Sequence, residues 1–136
     1  MLSGEATVNG TRAKTLVVVF AGDRIVTQAG HAALSGPNNE IKLGPATSIV
    51  VNEGNVRLVC GHVTILSRNG FSLWVGMLTV WPKENSLIIF SAKATENGTT
   101  ITRQRGSVWI NSSDNRLLSM GPLREFKITG QEDCGK

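Results

Sequence analysis

The sequence predicts an all-β domain of many short strands joined by tight turns, arranged as a β-roll or solenoid or as a two-layer sandwich. Three observations predict it. The chain holds 13 Val, 9 Ile and 12 Thr, β-branched residues whose stiff χ1 suits a pleated surface. Turn signals built from 15 Gly and 10 Asn recur about every 8–12 residues, the spacing of all-β folds. No window of about 11 residues carries the 3.6-residue period of a helix.

The elements follow in order. Glu5–Val8 closes on Asn9-Gly10, the strongest hairpin dipeptide because a type I′ turn needs positive φ at both central residues. Within Thr15–Phe20 the run Leu16-Val17-Val18-Val19-Phe20 is continuously apolar, which predicts burial on both faces. Arg24–Thr27 follows the turn Ala21-Gly22-Asp23, and Ala32–Ser35 ends at Gly36-Pro37-Asn38-Asn39. Glu40–Leu43 and Val56–Cys60 alternate apolar and polar residues, so each presents one face to a core. Ser48–Val51 lies between the Gly44-Pro45 reversal and Asn52-Glu53-Gly54-Asn55. Val63–Ser67 ends at Asn69-Gly70, and Phe71–Val80 reads as one long run ending at Trp81-Pro82. Leu87–Ala92 is made a strand by Ile88 and Ile89, although Lys83–Asn97 is the least strand-like stretch. Thr99–Arg103 reads as a polar hairpin arm closing on Asn97-Gly98. Ser107–Asn111, Arg116–Ser119 and Arg124–Ile128 follow, divided by Ser112-Ser113-Asp114-Asn115 and Gly121-Pro122. Residues 1–129 thus form one domain, and 130–136 a flexible polar tail.

One local device recurs. Gly4-Glu5-Ala6-Thr7-Val8, Gly61-His62-Val63-Thr64-Ile65 and Gly106-Ser107-Val108-Trp109-Ile110 share the pattern Gly-polar-apolar-x-apolar. Their unequal separations exclude a regular repeat. The shared glycine reads as relief of a bend at a strand entry.

With 40% hydrophobic and 18% charged residues, the chain is neither disordered nor a coiled coil. No apolar run approaches the roughly 18–20 residues that span a bilayer. The net charge is +4, but no cluster of about 4–8 Lys/Arg marks a nucleic-acid or lipid surface. The basic residues read as a solubilising surface, and neither nucleic acid nor membrane insertion is expected.

No catalytic or metal constellation stands out. His31 and His62 are the only histidines, without His-x-His or Cys-x-x-Cys spacing to support a metal. No Gly-x-Ser-x-Gly elbow or phosphate-cradling Gly-Lys-Ser/Thr loop occurs, and none of the 10 acids, Glu53 and Asp23 included, stands out as half of a carboxylate pair. No enzyme, cofactor or metal is expected. Cys60 and Cys134 are the only cysteines; Cys60, in an apolar run, reads as a small buried hydrophobe, and a bridge to Cys134 requires an oxidising compartment.

The stretch from Ala21 to Thr64 resembles the FecR-like domain. It opens Gly22-Asp23-Arg24-Ile25-Val26-Thr27 and continues through Gly30 and Ala32-Ala33-Leu34. It then runs Glu40-Ile41-Lys42-Leu43-Gly44-Pro45-Ala46-Thr47-Ser48-Ile49-Val50 and closes on Val56-Arg57-Leu58-Val59-Cys60-Gly61-His62-Val63. Gln28 stands where the family often has Gly, and Ala46 where it often has Asn. The resemblance implies an all-β domain on the extracytoplasmic side of a bacterial envelope, periplasmic or extracellular. The best-known members relay a signal from an outer-membrane receptor to a sigma factor through further segments not recognised here; the resemblance carries the domain rather than the pathway. Met1-Leu2-Ser3-Gly4 runs into domain-like sequence without a secretion signal, so this location requires a removed leader; otherwise the chain is cytoplasmic.

The motif residues have folding roles of their own. Asp23 accepts backbone N–H bonds in an Asx-type turn, and Thr27 returns a side-chain bond. Gly22 and Gly44 sit at sharp reversals, Pro45 fixes φ, and Gly61 relieves a bend. Trp74, Trp81 and Trp109 each lie in an apolar run and read first as core or edge packing. Two functions follow: a non-enzymatic envelope module engaging a protein partner by strand addition at an exposed edge, or a polysaccharide- or polymer-binding domain using a tryptophan face. Exposure of Trp74 and Trp109 on one face favours the second.

Overall fold

The computed structural model describes residues 1–13, 16–37, 39–68, 71–76, 78–82, 87–111, 117–119 and 125–128. The chain is all-β, without a helix among the described residues. The strands are β1 (Leu2–Gly4), β2 (Thr7–Val8), β3 (Thr11–Arg12), β4 (Arg24–Val26), β5 (Ala32–Ser35), β6 (Asn39–Leu43), β7 (Ser48–Asn52) and β8 (Asn55–Ser67). They continue as β9 (Ser72–Val75), β10 (Leu78–Pro82), β11 (Ile88–Thr95), β12 (Gly98–Arg105), β13 (Val108–Asn111), β14 (Leu117–Ser119) and β15 (Glu125–Ile128).

All belong to one continuous sheet curled into a half-barrel. One limb runs β14-β13-β10-β9-β8-β7-β4-β2-β3. The other runs β1-β5-β6-β8-β11-β12-β15. The thirteen-residue β8 belongs to both. Its first half pairs with β7 and β9, and its second half with β6 and β11. A straight strand of that length would span about 40 Å. Yet five residues carry the chain from Ser67 to Ser72, which pairs in parallel beside Asn55, and five residues reach at most about 18 Å. The strand must therefore turn over, and it does so at Gly61, where φ is +107°.

Gly61 is one of three such corners. Gly4 (φ +96°) ends β1, ahead of β2, and Gly106 (φ +77°) lies between β12 and β13. Each of the three marks a passage from one limb to the other. At each, a Cβ would fall within 2.4–2.6 Å of a neighbouring atom, so the corner needs both left-handed backbone and a missing side chain. The recurrent Gly-polar-apolar-x-apolar device is thus a limb switch.

The core fills the curl. Ala32, Leu43, Val63, Ala92 and Ile101 sit in one transverse row of the second limb, and all are buried. They face Ile25, Ile49, Leu58, Val75, Leu78, Val80 and Ile110 of the first limb, also buried. Each Val, Leu or Ile among them contributes about 1.5–3 kcal/mol on leaving water.

Several expectations are corrected. Leu16–Phe20 is not buried on both faces: Leu16, Val18 and Phe20 are 66%, 56% and 69% exposed, while Val17 and Val19 turn inward. Among the described residues its one bridge to the sheet is Val17 to Leu2. Phe71–Val80 is a hairpin, β9 and β10, reversed at Gly76 (φ +56°). Thr99–Arg103 lies within β12, flanked on both sides by β11 and β15, with Thr99 and Ile101 buried. Its turn centres on Glu96 and Asn97 because Thr95 pairs with Gly98. Gly22 does take positive φ (+95°), but at the Gly44-Pro45 reversal the left-handed residue is Ala46 (φ +53°). Asn9 and Gly10 (φ +50° and +86°) form the expected turn between β2 and β3. The turns Asn69-Gly70, Ser112–Asn115 and Gly121-Pro122, and the tail 130–136, lie outside the described residues.

Candidate functional site

The motif residues meet at one buried corner. The Thr27 hydroxyl donates to the Gly44 carbonyl (2.6 Å) and accepts from the Thr47 N–H (3.0 Å). The Thr27 N–H donates to the Thr47 carbonyl (2.8 Å). Thr47 Oγ1 accepts from the His62 N–H (3.0 Å), and the Gly44 N–H donates to the His62 carbonyl (2.9 Å). Thr27 and Thr47 are both 1% exposed, so no solute reaches these hydroxyls. The corner ties the turn after β4 and the turn after β6 to the bend of β8. Thr47 is its hub.

Asp23 builds a second knot. Its carboxylate accepts from the Phe20 N–H and from the Asn9 side-chain amide, both at 2.8 Å. The Asn9 oxygen accepts from the Arg24 N–H (2.9 Å). The Phe20 bond first, then the Asn9 bond, hold the Asp23 carboxyl below its ordinary value, against a smaller opposing effect of burial. Every partner of this carboxylate orders a turn.

The polar residues a catalytic reading needs stay apart. His31 and His62 are exposed, Glu53 lies in the exposed turn between β7 and β8, and Asp23 is bound as above. Among the described residues no three metal-ligating side chains cluster. A cavity of 310 Å³ lies beside β2 and β4. Among the described residues its polar side chains are those of Glu5, Thr7, Arg12 and Gln28, with no histidine or cysteine. Cys60 is half-buried and engaged in a disulfide, not the free buried thiol expected. Cys134, the other cysteine of the chain, lies outside the described residues.

The three tryptophans come together. In β9 and β10, Leu73, Val75, Leu78 and Val80 point into the core, so alternation turns Trp74, Thr79 and Trp81 outward. In β13, buried Val108 and Ile110 put Trp109 on the same outer face. Trp81 pairs directly with Trp109. Thr79, two residues before Trp81, pairs with Trp74, making Trp74 and Trp81 diagonal neighbours within reach of aromatic contact. Trp74 is 48% exposed; Trp81 and Trp109 are half-buried. Beside Trp74 a groove of 230 Å³ is lined by Asn52, Asn55 and Arg57.

A second exposed feature is the edge at Leu16–Phe20. Val17 exchanges both backbone hydrogen bonds with Leu2 (2.8 and 3.1 Å). Alternation directs the N–H and C=O of Val18 away from the sheet, and among the described residues they have no backbone partner.

No family model matches the chain, and no curated protein or solved structure does.

Proposed function

We propose that the chain is a non-enzymatic, extracytoplasmic binding and signalling module of FecR-like type, which engages a protein partner by strand addition at the Leu16–Phe20 edge. The observation that carries this reading is the edge itself. Three large apolar side chains stand exposed on one side of an extended segment whose Val18 backbone faces outward. Leu16–Phe20 contains no charge or proline, the devices with which proteins blunt an edge that is not used. A partner strand gains backbone hydrogen bonds from Val18 and side-chain contacts from Leu16 and Phe20. The disulfide at Cys60 supports an oxidising, extracytoplasmic compartment.

The test is site-specific photocrosslinking in the native cell. A crosslinker at Phe20 is expected to give a discrete protein adduct that Val18→Pro abolishes, because proline removes the outward N–H. A crosslinker at Thr100, within β12, serves as the control. No adduct from Phe20, or one indifferent to Val18→Pro, overturns the reading.

A further inference from the structure

We propose that the outer face of the limb bearing Trp74, Trp81 and Trp109 is a binding site for an anionic polysaccharide, a polymer of uronic-acid type. The site uses other residues than the Leu16–Phe20 edge, although its Arg24 end adjoins the Phe20–Asp23 turn, and it does not depend on that edge.

The pairing registers lay the face out as rows. One row reads Asn111–Thr79–Trp74–Arg57–Val50–Arg24 across β13, β10, β9, β8, β7 and β4. At strand spacing it runs about 24 Å, a length suited to a chain molecule. Alongside it stand the pair Trp109–Trp81 and the set Ser72–Asn55–Asn52. The tryptophans therefore sit at one end of a track whose other end carries amides and guanidinium groups.

The chemistry of the track matches a charged sugar polymer. The C–H face of a pyranose ring is apolar and slightly positive, and it stacks on the negative face of an indole. Trp74 is open enough to receive it, while the half-buried Trp81 and Trp109 are held by their neighbours and lose little freedom on binding. Asn52 and Asn55, bonded to each other at 3.1 Å, line the groove beside Trp74 with Arg57. Amides suit sugar hydroxyls, and a guanidinium suits a carboxylate, which it grips with two parallel bonds. Charge decides the class. Arg24 and Arg57 stand in the row of Trp74 itself, which contains no acid, whereas Asp23 and Glu53 lie in the turns before β4 and after β7, and the Asp23 carboxylate is already bound to Phe20 and Asn9. A neutral glycan would make no use of that bias.

The experiment titrates the intact chain with polygalacturonate and follows tryptophan emission. A saturable change is expected, and Trp74→Ala is expected to weaken binding by at least about three-fold, the worth of a lost aromatic contact. Arg57→Gln is expected to weaken it at low salt and less at high salt, where screening removes the charge term. Both side chains are exposed, so circular dichroism of either variant is expected to match the parent, and each tests the site independently. Polyglutamate and a neutral β-glucan serve as comparisons and are expected to bind markedly more weakly. Absence of saturable binding overturns the proposal. So does equal binding of polyglutamate, which reduces the effect to the +4 charge of the chain, or equal binding of the neutral glucan. Indifference to both substitutions overturns it as well.

Discussion

Thr27 and Thr47 hold each other by both backbone and side chain: the Thr27 N–H reaches the Thr47 carbonyl at 2.8 Å, and the Thr47 N–H reaches the Thr27 hydroxyl at 3.0 Å. The pair lies 20 residues apart in sequence, and Thr47 passes the restraint on to His62 at the bend of β8. One knot therefore fixes the turn after β4, the turn after β6 and the corner joining the two limbs. Replacing Thr27 by Val keeps the volume and removes the hydroxyl. It strips the Thr47 N–H and the Gly44 carbonyl of a buried partner, at about 1–3 kcal/mol. Urea denaturation is expected to show that loss for Thr27→Val, with Thr27→Ser close to the parent. Equal midpoints for Thr27→Val and the parent would remove the knot from the stability of the fold.

Gly61 is among the most demanding positions of the described residues. A Cβ there would lie 2.4 Å from Thr47 Oγ1 and 2.5 Å from Thr47 Cα, with φ at +107°. The first contact is with a side chain held by hydrogen bonds and the second with backbone, so neither yields cheaply. Gly61→Ala is expected to destabilise by about 2 kcal/mol or more, measured as a fall in thermal midpoint. Gly22→Ala has φ of +95° but open space around it, and is expected to cost only the backbone term of about 1 kcal/mol. The contrast between the two variants separates steric contact from strain.

The fold class and most strands are legible in the sequence because β-branched runs and turn residues signal locally. What escapes is the placement of strands in space. The glycines at 4, 61 and 106 can be read as a repeated device, but a period of two is the same in either limb, so the limb switch they make leaves no sequence signal. Leu16–Phe20 looks like a doubly buried strand because apolarity alone cannot distinguish a core from an uncovered edge. The tryptophan face was hidden by one unseen turn. Trp74 and Trp81 are seven residues apart, an odd spacing that puts them on opposite faces of one continuous strand. The reversal at Gly76 brings them to the same face, since Trp74 and Thr79 then become cross-strand partners. Gly76 sits inside an apolar run with no accompanying Asn, Asp or Pro, so it gave no turn signature.

Ala46 offers a stabilising change. It occupies left-handed backbone at φ +53°, a conformation that costs an alanine roughly 1–2 kcal/mol and that Asn adopts more readily. Its own N–H is bonded to the Gln28 carbonyl at 2.7 Å, so the conformation is held by the structure. The side chain is exposed, leaving room for a larger residue. Ala46→Asn is expected to raise stability by about 0.5 kcal/mol, seen as a higher thermal midpoint. A lower midpoint would show that the turn relaxes in solution to a form that alanine prefers.

The Asp23 carboxylate gives the fold an acid-sensitive element whose sign can be worked out. The Phe20 N–H and the Asn9 amide both donate to it at 2.8 Å, and both bonds favour the charged form. Its pKa in the folded chain is therefore below the ordinary 3.8 that it has when unfolded. A carboxyl with a depressed folded pKa stabilises the fold in full above its unfolded pKa, and that contribution is lost as pH falls through 3.8 and then through the lower folded value. The knot anchors the Asn9-Gly10 hairpin to the start of β4, because the Asn9 oxygen in turn accepts from the Arg24 N–H. Asp23→Asn keeps the shape but replaces one acceptor oxygen by a donor amide, which cannot receive both bonds. The variant is expected to be less stable than the parent at neutral pH and to converge on it in strong acid. Chemical denaturation at a series of pH values from neutral downward checks this. Parallel curves, with the gap between the two proteins unchanged below pH 3.8, would mean that the charge on Asp23 contributes nothing and that the turn is held by its backbone bonds alone.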